Sequence, residues 1–393
     1  MQPDRRPGQA FDVVLRGRVV TATGVIADGY VGVVGDRIFA VGEVSSYRGH
    51  PELPDPDGTL LPGLVDIHCH GGGGAAVTSG EVGQPDAVAR HHRSAGTTSL
   101  VASTTTDSPS RMLAMVAAAA EAAERGEVTG IHLEGPFLAP SRCGAQDARQ
   151  LRLPDVGLAR ELVEAGSGHV RVMTLAPELP GTGKLMDLLD DLGVTPAVGH
   201  TDGDAAVVAR ALARETPGLV THLFNGMPPL HHRAPGPVGA SLGAAARGEA
   251  RVELIADGVH LSDETVRMVF DLLAPGRVVL VTDATAAAGM PDGDYLLGAQ
   301  TVTVRGGQAR LSGADEPPIA GGTASLLDVV RRCVFDAGVE LLRAVNAASA
   351  TPAAAISMDD EVGRIEAGLR ADLLVVGDDL TVRRVMRQGR WVH

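Results

Sequence analysis

LVDIHCH, residues Leu64–His70, decides how the rest of the chain is read. It is a near-continuous apolar run that stops on His68 and His70, two side chains able to bind a metal or move a proton. The same event recurs along the chain. GIHLEGP reaches Glu134, TPAVGH ends at His200, LVTHLFN carries His222, VELIADGVH ends at His260 and RVVLVTDAT reaches Asp283. Runs apolar on both faces suit parallel strands covered on both sides. In a parallel barrel every such strand end opens onto one face, so residues far apart in sequence meet in one site.

Working outward, eight strand-like runs are counted: Leu60–His70, Thr97–Thr105, Val128–Pro136, Val170–Glu178, Val194–Thr201, Gly218–Asn225, Val252–His260 and Arg277–Thr285. Between them lie alanine-rich, helix-compatible stretches such as Ser108–Arg125, Asp204–Glu215 and Asp263–Ala274. Eight alternations of strand and helix predict an α/β chain built on a (β/α)8 TIM barrel. The flanks have a different texture. Residues 11–60 and the stretch from Asp359 show short alternating runs with glycine-marked turns, the pattern of antiparallel strands. The two ends are expected to pair into a small β-sandwich domain, giving residues 1–60 and 359–393 to that domain and 61–358 to the barrel. A hairpin-like insertion over Asp294–Leu311 follows the eighth run, on the loop side where a lid would lie.

Composition narrows the function. With 44% hydrophobic and 21% charged residues the chain reads as a globular protein, and its 3% aromatics advertise no stacking platform for sugars or bases. A net charge of −14 without a basic run makes nucleic acid an unsuitable partner. There is no long uncharged apolar run for a bilayer and no signal-peptide core, so a membrane partner is not expected. Three cysteines without a framework pattern suit a reducing cytoplasm.

The chemistry sits in the polar residues. His68 and His70 are spaced i and i+2, so they share one strand face while Cys69 packs the other way. Neutral imidazole suits zinc, with ferrous iron as the alternative. Glu134 with His200 and His222 forms the Glu-plus-two-His set expected of an open, catalytic metal site. Asp283 reads as general base toward an activated water and then general acid toward the leaving amine. This route needs no nucleophilic Ser or Cys. His132 shares a strand face with Glu134 and reads as a support for the metal site. His91, His92 and His169 read as surface groups, and His231 and His232 as solvated residues of a proline-rich loop.

PGLVDIHCHG, HLEGPFL, VGHT, THLFNGMPPLHHRAPG, IADGVH and LVTDATAAAG, in this order, resemble the N-acetylglucosamine-6-phosphate deacetylases of the amidohydrolase superfamily. The likeness runs from about Leu61 to Thr323, and GRIEAGLRADLLVV is similar to the family's C-terminal β region. It implies hydrolysis of the acetamide of N-acetylglucosamine 6-phosphate, a small sugar-phosphate partner and a homodimer. It also implies one or two divalent metals per subunit, with Glu134, His200 and His222 on the main one and His68 and His70 on a second. For the substrate it implies Ala145, Gln146, Asn225, Gly226, His260, Ile319, Ala320 and Gly321 around the sugar and Arg233 on the phosphate, whose fork suits bidentate bonding. The chain departs from the family where a histidine after Gly-Ala or Gly-Thr is common: here stands Gln146, which carries no proton at neutral pH. Cys143, three residues earlier, is expected on a mobile lid. Two other readings compete. One is an amidohydrolase for cyclic amides, N-acyl amino acids or unphosphorylated acetamido sugars; the other is an inactive barrel used for binding.

Overall fold

The computed structural model describes residues 10–49, 51–313 and 317–392. Eight parallel strands form its centre: β1 (Leu64–Cys69), β2 (Thr97–Thr104), β3 (Gly130–Glu134), β4 (Val170–Leu175), β5 (Thr195–Val198), β6 (Gly218–Val220), β7 (Ala250–Leu254) and β8 (Val278–Leu280). Their order in the sheet is their order in the chain. The circle is completed just past the last strand. The Asp283 N–H donates to the His68 carbonyl at 2.9 Å, and the His70 and Gly71 N–H groups both donate to the Ala284 carbonyl, at 2.8 and 2.9 Å.

A helix follows every strand: α1 (Gln84–Ser94), α2 (Pro109–Glu124), α3 (Val156–Ala165), α4 (Thr182–Asp191), α5 (Ala205–Leu212), α6 (Gly236–Ala246), α7 (Asp263–Leu272) and α8 (Leu326–Phe335). Local chemistry sets where several begin. Asp155 caps α3 and Ser262 caps α7, while Ser325 and Asp328 form a reciprocal capping box on α8. Each satisfies amide groups that the first helical turn leaves without partners.

Alternation along the strands divides the core. Val65, Val101, Val172, Ala197, Leu219, Val279 and Val281 belong to one buried cluster inside the barrel, closed below by Ala353, Ile356 and Val362. Leu133, Met173 and Leu175 face outward against Met112, Val116 and Leu162 of the helices. A register shift between Asp66 and Cys69 breaks strict alternation in β1. An extra residue at that place bends a strand and re-aims its side chains. Ile67 therefore joins the interior cluster while Cys69 packs outward and the two flanking histidines face the barrel mouth.

Both chain ends enter one seven-stranded sheet. Its order is Arg390–Trp391, Val382–Arg387, Leu373–Val376, Thr59–Pro62, Val13–Val20, Val25–Val34 and Arg37–Glu43. The sheet folds back on itself. Ile38 N–H donates to the Leu369 carbonyl at 2.8 Å and Ala371 N–H to the Asp36 carbonyl at 2.7 Å. Leu15, Val31, Val33 and Ile38 then share one core with Leu373, Val375 and Met386, as expected for a small β-sandwich. Gly63 N–H donates to the Asp372 carbonyl at 2.8 Å, which ties this unit to the start of β1. The insertion after β8 is a three-stranded antiparallel sheet, Gly293–Leu297, Gln300–Arg305 and Gln308–Leu311.

Leu219 is 1% exposed inside the barrel. Leu219→Ala removes buried methyl groups from a closed interior and is expected to cost about 2–5 kcal/mol. Urea unfolding in the presence of a chelator checks this; a loss well under about 1 kcal/mol would mean the interior collapses around the gap.

Candidate active site

Glu134 stands at the end of β3, buried, in the middle of four imidazoles. Its Oε1 lies 3.0 Å from His222 Nε2, 3.1 Å from His200 Nε2 and 3.5 Å from His68 Nε2. Its Oε2 lies 3.3 Å from His70 Nε2. Asp283 Oδ1 is 3.2 Å from His70 Nε2 and 3.5 Å from His68 Nε2. Two groups of potential ligands result, Glu134 with His200 and His222, and His68 with His70 and Asp283.

The backbone is forced into place to achieve this. His200, His222 and Asp283 have φ of 46°, 26° and 47°, a left-handed region that side chains with a Cβ rarely adopt. Such conformations cost on the order of 1–3 kcal/mol each and concentrate at functional sites. All three fall just beyond the ends of β5, β6 and β8, where the turn aims the side chain into the mouth.

The far side of three of the four rings fixes which nitrogen carries the proton. His68 Nδ1 is 3.1 Å from Glu253 Oε2, His70 Nδ1 is 3.2 Å from the Ser103 carbonyl, and His200 Nδ1 is 2.7 Å from the Arg142 carbonyl. Those oxygens only accept, so the Nδ1 atoms donate and the Nε2 atoms are left with lone pairs. Yet His68 Nε2 and His70 Nε2 are 3.2 Å apart, and His200 Nε2 and His222 Nε2 are 3.1 Å apart. Between His68 and His70, whose Nδ1 atoms are both committed as donors, facing lone pairs at that distance repel unless a cation or a proton lies between them. Imidazole and carboxylate donors with oriented rings are the set that borderline divalent metals prefer, so the residues fit such an ion.

The carboxylates act on the rings in the same sense. Burial works to strip the proton from His70, but bonds to Asp283 and Glu134 reverse this and raise its pKa to about 9. Burial likewise opposes ionised Asp283, but His68 and the bond to His70 hold it down at about 2. The site therefore concentrates negative charge that calls for positive partners.

Of the substrate residues expected from the sequence, Ala145, Gln146, Asn225, Gly226, His260, Ile319 and Gly321 line a cavity of about 250 Å³ together with His70, Glu134, His200, His222 and Asp283. Ala320 is fully buried beneath this wall, packed with Ala287, Leu297 and Val302. Arg233 is not brought in: it is exposed on its loop, with Nη1 2.8 Å from His232 Nε2. His231 and His232 are exposed as expected, and His91 and His169 are partly exposed. His92 is not a surface group. It is fully buried, with Nε2 2.9 Å from the Gly71 carbonyl and 3.3 Å from Cys69 Sγ, because α1 packs its last turn under the glycine loop that follows β1. Cys69 packs outward there, and Cys143 is partly exposed on the loop that brings Gly144, Ala145 and Gln146 to the cavity. His132 does support the site. It bridges Ser103 Oγ at 3.0 Å and Thr174 Oγ1 at 2.8 Å, and its ring meets His68 edge-on.

Several contributors were missed. Glu253, buried on β7, also accepts the His222 N–H at 3.1 Å, so one carboxylate orients two candidate ligands. Its signal was a lone acid inside the apolar run ARVEL. Asp66, pushed up to about 6 by burial, accepts from Thr282 Oγ1 at 2.5 Å and so links β1 to the segment bearing Asp283. Asp257 Oδ2 lies 2.8 Å from His260 Nδ1, which leaves His260 Nε2 for the cavity. Leu297 and Pro318 wall the cavity from the insertion side. The chain also contains a serine-elbow string, GASLG over 239–243, but it lies within α6 and not on a strand-to-helix turn. Ser241 there is buried, with no hydrogen-bond partner for its hydroxyl among the described residues.

The chain belongs to the amidohydrolase family, whose model matches residues 59–392. That family is metal-dependent, in keeping with the two donor sets. Among its relatives, the N-acetylglucosamine-6-phosphate deacetylase of Bacillus subtilis (strain 168) is 34% identical, with 94% of each chain covered. The N-acetylgalactosamine-6-phosphate deacetylase of Escherichia coli O157:H7 is 33% identical over 84% of this chain and 87% of its own. The solved structure of a Mycobacterium smegmatis N-acetyl-D-glucosamine-6-phosphate deacetylase mutant, in complex with N-acetyl-D-glucosamine-6-phosphate, is 37% identical with a TM-score of 0.91, covering 96% of this chain and 98% of that one.

Glu253 offers a test separate from the ligands themselves. Glu253→Gln keeps the volume but removes the charge that both His68 and the His222 amide use, and is expected to weaken zinc binding by about 10-fold or more. Competition with a chromophoric chelator measures it; unchanged affinity would remove Glu253 from the site.

Proposed function

We propose that this chain hydrolyses the acetamide of N-acetyl-D-glucosamine 6-phosphate to D-glucosamine 6-phosphate and acetate. The observation that carries the reading is Asp283 at 3.2 Å from His70 Nε2, beside the Glu134 cluster at the mouth of the barrel. A carboxylate poised there can serve as acid and base for an amide held in the cavity. Glu134, His200 and His222 would hold the main divalent metal and His68 and His70, with Asp283 near them, a second; zinc suits these donors, and ferrous iron is the alternative. When bound, such an ion polarises the acetamide carbonyl and acidifies water.

The residues of the chain do the rest. Asp283 takes the proton from the attacking water and returns it to the nitrogen as the C–N bond breaks, so the amine leaves neutral. His260, oriented by Asp257, offers Nε2 to a sugar hydroxyl or the acetyl group. Asn225, Gly226, Ile319 and Gly321 shape the cavity around the sugar. Arg233 is assigned to the phosphate. Because it stands exposed outside the cavity of its own chain, that role calls for a second copy, and a homodimer is part of the proposal. No helix of the described residues is long and apolar enough to cross a membrane, and we place the reaction in the cytoplasm, in amino-sugar catabolism and cell-wall recycling.

Acetate release is to be followed from N-acetylglucosamine 6-phosphate, its galactosamine epimer and unphosphorylated N-acetylglucosamine, before and after metal stripping. Metal-restorable turnover preferring the phosphorylated gluco sugar is expected. Preference for the epimer would move the chain to the galactosamine reading, and equal turnover of the unphosphorylated sugar would contradict the phosphate assignment. Asp283→Asn is expected to keep its fold and lower kcat by about 10²–10⁴-fold. Near-normal turnover would remove Asp283 from its role.

A further inference from the structure

Gln146 stands where the sequence promised a substrate contact, yet its amide is already engaged. Its Oε1 accepts the Thr106 N–H at 2.7 Å, and its Nε2 donates to Glu134 Oε2 at 2.6 Å. The two neighbours leave no freedom to turn the amide over. A backbone N–H only donates and a carboxylate only accepts, so the oxygen must face Thr106 and the nitrogen Glu134. The Gln146 side chain is nearly buried, and its own N–H donates to the Cys143 carbonyl at 2.9 Å, which fixes the loop that carries it. Thr106 Oγ1 reaches the Glu134 carbonyl at 3.4 Å, so the same short segment touches Glu134 from a second direction.

The consequence falls on the two oxygens of Glu134. Oε1 faces His200 and His222 at 3.1 and 3.0 Å, whereas Oε2, the atom nearer His70 at 3.3 Å, is the one Gln146 holds. A donated hydrogen bond withdraws electron density from the oxygen that receives it and occupies one of its lone-pair directions. We propose that Gln146 is a positioning residue for Glu134: it directs Oε1 to the His200–His222 set and weakens Oε2 as a ligand for the His68–His70–Asp283 set. The two donor sets are thereby unequal, with the Glu134–His200–His222 set the tighter. A neutral histidine at this position could donate from one ring nitrogen and accept from Thr106 with the other, so it would preserve the arrangement while adding a titratable group.

This inference rests on the metal reading above, and the test separates the two. Metal-free protein is titrated with zinc against a chromophoric chelator at pH 8, for wild type and for Gln146→Met, Gln146→Asn and Gln146→His. Met keeps the length without the donor, and Asn keeps the amide without the reach. Both are expected to weaken the tighter zinc by about 10-fold or more and to narrow the gap between first and second ions, while His stays near wild type. Unfolding midpoints in chelator identify a variant that folds poorly, in which case the other of the pair carries the test. Wild-type zinc affinities in Met and Asn, with a raised KM for the metal-saturated enzyme, would make Gln146 a substrate contact and overturn the proposal. A wild-type chain that takes up no zinc would instead overturn the metal reading beneath it.

Discussion

Four imidazole nitrogens aimed at one buried carboxylate are the constraint on which the rest of this molecule depends. His68, His70, His200 and His222 place Nε2 within 3.5 Å of a Glu134 oxygen. Three of those rings give their Nδ1 proton to a fixed oxygen, which leaves Nε2 on each to take a metal ion or a second proton. Bringing such groups together in a dry interior is unfavourable until positive charge joins them. A cluster of this kind persists because a fold holds it there, and the fold is arranged accordingly.

That arrangement is visible in the backbone. Three strand-end residues accept left-handed torsions, and β1 shifts register so that its histidines face the mouth while Ile67 fills the barrel. The hydrogen bond that closes the barrel runs from the amide of Asp283 to the carbonyl of His68. The proposed acid/base and a candidate metal ligand are thus covalently distant but joined through one peptide contact. Asp66 and Thr282 brace the same junction from below. Strain in the site is borne by a closed sheet with an apolar interior, which deforms little.

Much of this was legible in the sequence. The strand-ending polar residues announced the barrel and marked the side chains that the fold gathers at its mouth, because a buried parallel strand has only its end on which to present chemistry. The pairing of the two chain ends was legible from alternation and glycine-marked turns. Other features were hidden for identifiable reasons. Glu253 and Asp66 sit within apolar strands and read as exceptions until the partner rings are seen. His92 looked solvated because helical spacing alone does not show that a glycine loop packs over it. Gln146 was placed at the substrate by the family resemblance, and the structure shows its amide bonded to Thr106 and Glu134. Arg233 shows the converse: its neighbours Asn225 and Gly226 reach the cavity, but the proline-rich loop carries it out to solvent.

The central claim is that the converging lone pairs exist to hold divalent cations. Anomalous diffraction at the zinc and iron edges, on crystals of the protein as purified, addresses it directly. The account predicts a peak within about 2.0–2.2 Å of Glu134 Oε1, His200 Nε2 and His222 Nε2, with any second peak against His68 and His70. Density without a peak there, with an imidazole turned away or bonded through a proton, would contradict it.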